Sequence, residues 1–317
     1  MNGRHRDRMH SVNGRAHSAV VLGFDDCSAQ AEALAQALGV PHATIVTRRF
    51  PDGETLVRVP VPLPASAIVH TTLGHPNERL VELLLAARTA RRHGVSHLSL
   101  VAPYLCYMRQ DAEFQPGEAV SQTIVGGFLA SLFDAVVTVD PHLHRIDSLG
   151  EAIPGVRAVA VSAAAPIAAF IASRCPQAVL VGPDEESQQW VARIAALAGR
   201  PHAVCHKQRR GDRDVTVTLV GPGRTEPESL AGRQVVVVDD IASSGRTVIE
   251  AAAACRAAGA VAIDAIVTHA LCGDDDLHAI HAAGIRCFWS SDTLAHPSNA
   301  VSIVPQLVEA CLAHGLV

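Results

Sequence analysis

Short apolar runs alternate with amphipathic, alanine-rich segments, which predicts an α/β protein of mostly parallel sheets flanked by helices. Three observations carry this expectation. The runs have strand length and lack polar alternation, as in Val235-Val236-Val237-Val238, which marks strands buried on both faces. The alternation starts afresh past the middle of the chain, so the 317 residues suggest two domains. Hydrophobic residues make up 49% of the chain but aromatics only 3%, so the cores must be aliphatic.

In order, Ser18–Gly23 reads as a strand, Ser28–Leu38 as a helix closed by Gly39, and Ala43–Arg48 as a strand. Phe50-Pro51-Asp52-Gly53-Glu54 holds a good turn pair, Asp-Gly. Thr55–Val61 alternates like a strand, and Ala67–Thr71 is another. Asn77–His93 is a helix with Leu80, Leu83, Leu84 and Ala87 on one side and Gly94 past its end. Strands Leu98–Ala102 and Ala135–Val139 enclose a helix over Ala119–Leu132. The second unit opens with strand Val159–Val161 and helix Ala163–Ser173. Strand Ala178–Val181 and helix Ser187–Leu197 follow, then strands Ala203–His206 and Val215–Val220 around a charged loop, Lys207–Asp214. Strand Gln234–Val238, helix Thr247–Ala258, strands Ala262–Thr268 and Arg286–Trp289, and a last helix over Pro305–His314 complete the chain. The two similar halves suggest an old duplication.

Composition narrows the function classes. A net charge of −5 without a long basic block argues against nucleic-acid binding. No apolar run reaches membrane-spanning length. Residues 1–17 are polar and basic with no apolar centre, so they read as a disordered arm rather than a signal peptide. Eight cysteines without a CxxC pair read as reduced, structural thiols in a cytoplasmic enzyme.

The chemistry concentrates after strands. Asp239-Asp240-Ile241-Ala242-Ser243-Ser244-Gly245-Arg246-Thr247 leads from a buried strand into a helix. Its small residues leave N–H groups and hydroxyls free for a phosphate, while the two carboxylates suit sugar hydroxyls or a metal. Together they describe a ribose 5-phosphate site. Pro103–Asp111 holds both tyrosines with Arg109, Gln110 and Asp111, and reads equally as a surface loop or a phosphate and base contact. In Asp140-Pro141-His142-Leu143-His144, two histidines beside an aspartate suit a divalent ion or a structural role, and the set lacks the further ligands of a zinc site. Asp184 again follows a strand. Lys207-Gln208-Arg209-Arg210 is either a solvated charge run or a mobile arm that stabilises a transferring phosphoryl group.

Taken in order, Phe-x-Asp-Gly-Glu, Pro-Tyr-x-x-Tyr-x-Arg-Gln-Asp, Asp-x-His, Pro-Asp, Lys-x-Arg-Arg and the Asp-Asp loop resemble the ribose-phosphate pyrophosphokinase (PRPP synthetase) family over about residues 18 to 317. Arg-Gln-Asp-x-x-Phe-x-Pro-Gly-Glu at 109–118 looks closer to its short archaeal-type branch. The resemblance implies two phosphoribosyltransferase-like domains, 18–158 and 159–303, with 304–317 packing back on the first. It implies ATP contacts at Phe50, Asp52 and Glu54, acting across a subunit interface, and at Arg109, Gln110 and Asp111. It implies Mg²⁺ placed by His142 and Asp184, and catalysis by Lys207 and Arg209. Ribose 5-phosphate would lie on Asp239, Asp240, Ser243, Ser244, Gly245 and Thr247. The implied partners are these two substrates and further copies of the chain, at least a dimer, with no nucleic acid or membrane.

Three departures stand out. Arg246 replaces a usual glycine and would either be strained, if the backbone there needs positive φ, or add a phosphate contact. Glu185-Glu186-Ser187 replaces small residues beside the sugar site. The segment after Glu54 is short and carries Pro60, Pro62 and Pro64, which leaves control by phosphate or ADP open. Two alternatives follow from the same residues. A regulatory subunit without turnover is favoured by Arg246 and Glu185-Glu186 but opposed by Lys207 and Arg209. A PRPP-consuming transferase is opposed by Phe50–Glu54 and Arg109–Asp111.

Overall fold

The computed structural model describes residues 19–210, 214–221 and 229–317, with backbone only at 207–210 and 214–217. The arm at 1–17, the side chains of Lys207 and Arg209, and part of the charged loop lie outside the described residues.

The first half places β1 (Ala19–Phe24), α1 (Ser28–Leu38), β2 (His42–Arg49), β3 (Thr55–Arg58), β4 (Ser66–His70), α2 (Pro76–Arg92), β5 (His97–Val101), α3 (Ser121–Ala130), β6 (Ala135–Val139), α4 (Leu149–Ala152) and β7 (Arg157–Val161). The second places α5 (Ala164–Arg174), β8 (Val179–Gly182), α6 (Gln188–Ala198), β9 (His202–Arg210), β10 (Asp214–Val220), β11 (Gln234–Ala242), α7 (Arg246–Ala257), β12 (Ala262–Ala270), α8 (Asp274–Ala282), β13 (Phe288–Ser291), β14 (Asn299–Val301) and α9 (Val304–Ala313).

These strands form two seven-stranded sheets, ordered β3-β2-β1-β4-β5-β6-β7 and β10-β9-β8-β11-β12-β13-β14. Subtracting seven from the second order gives the first. In each sheet only the first edge strand, β3 or β10, runs antiparallel. The central strands are fully buried, as their apolar runs require: Val235 to Val238 are each 0% exposed.

Three expectations change. Val159–Val161 does not open the second half; it pairs parallel with β6 and closes the first sheet as β7. The Lys207–Asp214 segment is not all loop, because β9 runs through Arg210 and pairs antiparallel with β10 from Asp214. An antiparallel edge pair needs no continuous apolar run, which is why a charged stretch hides it. The strand expected over Thr55–Val61 stops at Arg58. A shared core joins the halves, with Val21, Leu34 and Val137 of the first packed in one cluster with Ile167, Leu180 and Val236 of the second. Helix α9 contacts α1 and β7, and Arg157 donates to the His314 carbonyl.

Candidate active site

In the second sheet the chain order reverses between β8 and β11, and both strands end at one crevice. Open α/β sheets bind ligands at such a point. Gly245 caps α7 with φ +66°, and a Cβ there would lie 2.5 Å from Ile280 Cδ1. Conformation and space therefore both demand glycine. The first turn of α7 holds no acidic residue, so its free N–H groups keep their attraction for an anion. Arg246 is already helical, one residue past the left-handed position, and it pairs with Glu250 at 2.9 Å with 83% of its side chain exposed. The larger residue therefore fits without backbone strain.

A cavity of about 220 Å³ sits over this loop. It gathers Arg109 and His142 from the first half with Asp184, Asp239, Asp240, Ser243, Ser244, Gly245 and Thr247 from the second. His144 of the Asp140–His144 motif and Glu186 of the 185–187 departure also line it, as does Trp190, which no sequence signal marked. Asp184 Oδ1 accepts the Ser187 N–H at 3.0 Å, and Asp239 Oδ1 accepts the Asp240 N–H at 3.0 Å. Burial, then the charges of Asp240 and Asp184, hold the Asp239 carboxyl well above its usual range. Burial pushes Asp240 the same way, but the hydrogen bond and charge of His142 outweigh it and leave this carboxyl low. Three carboxylates crowded in this way suit a cation and a sugar diol. Their oxygen donors fit Mg²⁺.

The two halves are pinned together beside the cavity. Asp140 adopts φ +35° at the end of β6 and donates its N–H to the Val161 carbonyl at 2.9 Å. Its carboxylate accepts the Ala163 N–H at 2.9 Å and the Thr268 hydroxyl at 3.4 Å. His269 Nε2 meets the Asp140 carbonyl at 3.3 Å. His142 Nδ1 donates to Asp240 Oδ2 at 2.7 Å across the same boundary. Asp140 and His269 thus position the site, and a buried histidine inside an apolar strand was the available sequence signal.

Other expected site residues lie apart. Phe50, Asp52 and Glu54 form the turn between β2 and β3: the Phe50 N–H donates to the Glu54 carbonyl at 2.8 Å, and Asp52 Oδ1 accepts the Glu54 N–H at 3.1 Å. None of the three lines the cavity. Gln110 Nε2 donates to the Ala112 carbonyl at 3.1 Å and to Glu118 at 3.2 Å, which organises its own loop. Asp111 accepts from Arg145 at 3.2 Å.

Residues 19–132 match the family model for the N-terminal domain of ribose phosphate pyrophosphokinase, and residues 162–279 match that for the phosphoribosyl transferase domain. The chain is 33% identical over 296 residues to the ribose-phosphate pyrophosphokinase of Methanopyrus kandleri, covering 92% of this chain and 98% of that one. The chain belongs to the ribose-phosphate pyrophosphokinase family. The family's protein from Halobacterium salinarum is 30% identical, covering 92% of this chain and all of its own length. Both relatives are archaeal, in line with the wording at 109–118. The crystal structure of phosphoribosylpyrophosphate synthetase from Mycobacterium smegmatis superposes with a TM-score of 0.81 at 22% identity, over 94% of this chain and 99% of that one, and shares the fold. This member of the family places the 239–247 loop at the β8–β11 crevice, with Arg246 accommodated in α7.

Proposed function

We propose that the protein transfers the diphosphoryl group of MgATP to O1 of ribose 5-phosphate, giving PRPP and AMP. The observation that supports this most is the convergence of Arg109 and His142 with the 239–247 loop and Asp184 on one cavity. The N-terminus of α7 and the hydroxyls of Ser243, Ser244 and Thr247 would seat the 5-phosphate. Asp239 and Asp240 would hold the ribose hydroxyls and orient O1. Attack of O1 on the β-phosphorus forms one P–O bond and breaks the α–β bridge, and AMP leaves with the bridging oxygen. A bound Mg²⁺ would supply positive charge to offset that of the phosphates. Asp184 would hold it through a carboxylate oxygen, with His142 helping to place it. Arg109, Lys207 and Arg209 would balance the charge that builds on the transferring group.

The Phe50–Glu54 turn lies off this cavity, which is what contact with ATP in a second copy would require. With Gln110 and Asp111 it would complete the adenine side, so the working unit would be at least a dimer. None of the eight cysteines forms a disulfide, and no helix among the described residues is long and apolar enough to cross a membrane. We place the enzyme in the cytoplasm, where such thiols stay reduced.

The test is AMP and PRPP formation from purified protein with ATP, ribose 5-phosphate and Mg²⁺. Stoichiometric AMP that depends on ribose 5-phosphate is expected. A folded oligomer that binds ATP without forming AMP would overturn the proposal in favour of a regulatory subunit.

A further inference from the structure

The charged turn after β8 and the long strand β9 meet in a contact that the site described above does not use. His206 Nδ1 donates to Glu185 Oε1 at 2.5 Å. Each partner sits on a defined support. Glu185 lies in a closed turn: the Ser187 N–H donates to Asp184 Oδ1 at 3.0 Å, the Ser187 hydroxyl to the Asp184 carbonyl at 2.6 Å, and the Gln188 N–H to the Glu185 carbonyl at 3.2 Å. Asp184, the residue before it, lines the cavity over Ser243–Thr247. Strand β8 ends at Gly182, opposite Val204, whereas β9 runs on to Arg210 and pairs there with β10. His206 therefore stands just past the end of the β8 ladder, on a two-stranded ribbon, and such a ribbon is marginal by itself. Lys207 is the next residue along it.

We propose that Glu185 and His206 are positioning residues, whose contact ties the β9–β10 ribbon to the turn that carries Asp184 and so sets where Lys207 stands during diphosphoryl transfer. The inference deepens the proposed function and rests on Lys207 acting there. Neither Glu185 nor His206 lines the cavity, so both act through their neighbours. One neighbour is Asp184 and the other is Lys207, the two groups that must meet the same polyphosphate. A contact between the residues beside them fixes the spacing of the pair, and transfer slows steeply when such groups are misplaced. The two side chains are 61% and 30% exposed, so the contact adds little to folding and biases the ribbon by only about 5-fold. It also accounts for Glu185 in place of a small residue, because a side chain too short to reach β9 could not make it.

The test uses full-length Glu185→Ala, His206→Ala and the double variant, each read by AMP formation and by amide hydrogen exchange. Each single variant should lose about 5-fold in kcat with KM for ribose 5-phosphate unchanged, and the double variant no more than either, because all three lose one contact. Exchange across residues 203–210 should rise by a similar factor while the urea unfolding midpoint stays at the wild-type value, which separates positioning from a general loss of structure. Single losses that multiply to about 25-fold in the double variant would overturn the proposal, since the residues would then act apart. Wild-type kcat in both single variants would overturn it as well, whatever their exchange, and would leave the proposed function intact. No AMP from the wild-type protein, with exchange raised in the variants, would sink the proposed function and leave a tie without a catalytic purpose.

Discussion

In the first half, the crossover from β1 to β4 leaves Arg79 of α2 over the Phe24 ring at 4.0 Å, paired with Asp26 at 2.5 Å and Glu82 at 3.1 Å. In the second half, the matching crossover from β8 to β11 leaves Asp184 and the Ser243–Thr247 loop facing a cavity. The strand order is the same, and the crevices are not. Helix α2 begins on Pro76 with Glu78 in its first turn, so a carboxylate already sits at the positive end of the helix. Helix α7 begins on a left-handed glycine with hydroxyls before it and no acid in its first turn. A wider cavity, about 790 Å³, lies beside this first-half crevice, and its cations Arg49 and Arg79 are already paired with the carboxylates Glu78, Asp26 and Glu82 that line it with them. The comparison teaches that topology offers a ligand site at each switch point, while a few residues at the strand-to-helix turn decide what binds there.

The edge strands give the sharpest way to break this contrast. His42 faces Val21 and His202 faces Leu180 in the same register, so Lys207 stands at the place of Thr47 and Arg209 at that of Arg49. Lys207→Ala should lower AMP formation by about 1,000-fold, the scale at which cationic groups act in phosphoryl transfer. Thr47→Ala should leave turnover near wild type. Near-normal turnover in Lys207→Ala would remove the catalytic role from β9.

The two turns come next. Gly245→Ala puts a Cβ against Ile280 at φ +66° and should cost about 1–2 kcal/mol of stability, with a loss of turnover by about 100-fold as the phosphate seat shifts. Gly74→Ala, in the corresponding loop of the first half, meets only the Leu294 side-chain tip at 2.7 Å and has no positive φ. Its unfolding midpoint in urea should fall by much less. Equal losses in the two variants would mean that the crevices do not differ as described.

Acid separates the halves by a smaller margin. His70 ends β4 fully buried, and burial, then the nearby His42, pulls its pKa down from 6.5 to about 4. The unfolded chain therefore binds the extra proton between these values. Stability is complete above about pH 6.5 and falls as pH drops towards about 4. Between pH 7 and pH 5 the loss is about 2 kcal/mol. Urea unfolding at both pH values measures it, and His70→Leu should remove most of the difference. The smallest effect is Arg246→Ala: removing an exposed pair with Glu250 one helical turn away should change stability by only about 0.3–0.5 kcal/mol. A larger loss in thermal unfolding would show that Arg246 holds the loop.

Much of the fold was legible because its signals are local. Helix Ser28–Leu38 and strand Ala135–Val139 match the expected limits, since Gly39 and the uninterrupted apolar run mark their ends. Helix α4 was missed although Ser148 and Glu151 spell a capping box, which a residue-by-residue search would find. Helix α8 was missed despite three acidic residues in its first turn, Asp274 to Asp276. The site divides in the same way. The cavity-lining residues of the Asp239–Thr247 loop form one contiguous stretch, so the sequence sets them side by side. Glu186 was read only as a negative charge near the sugar, because its histidine partners lie more than forty residues earlier.

The sequence by itself determined where most strands and helices form, which loop could hold a sugar phosphate, and which family the chain resembles. Each depends on residues close together along the chain, where propensity, capping and periodicity act. The tertiary structure alone decided that β7 belongs to the first sheet, that the left-handed residue is Gly245 rather than Arg246, and that His142 and His144 meet Glu186 beside Asp240. Strand pairing and side-chain meetings across two sheets are choices among distant partners. Packing of the whole core selects among them, and no local pattern records that selection.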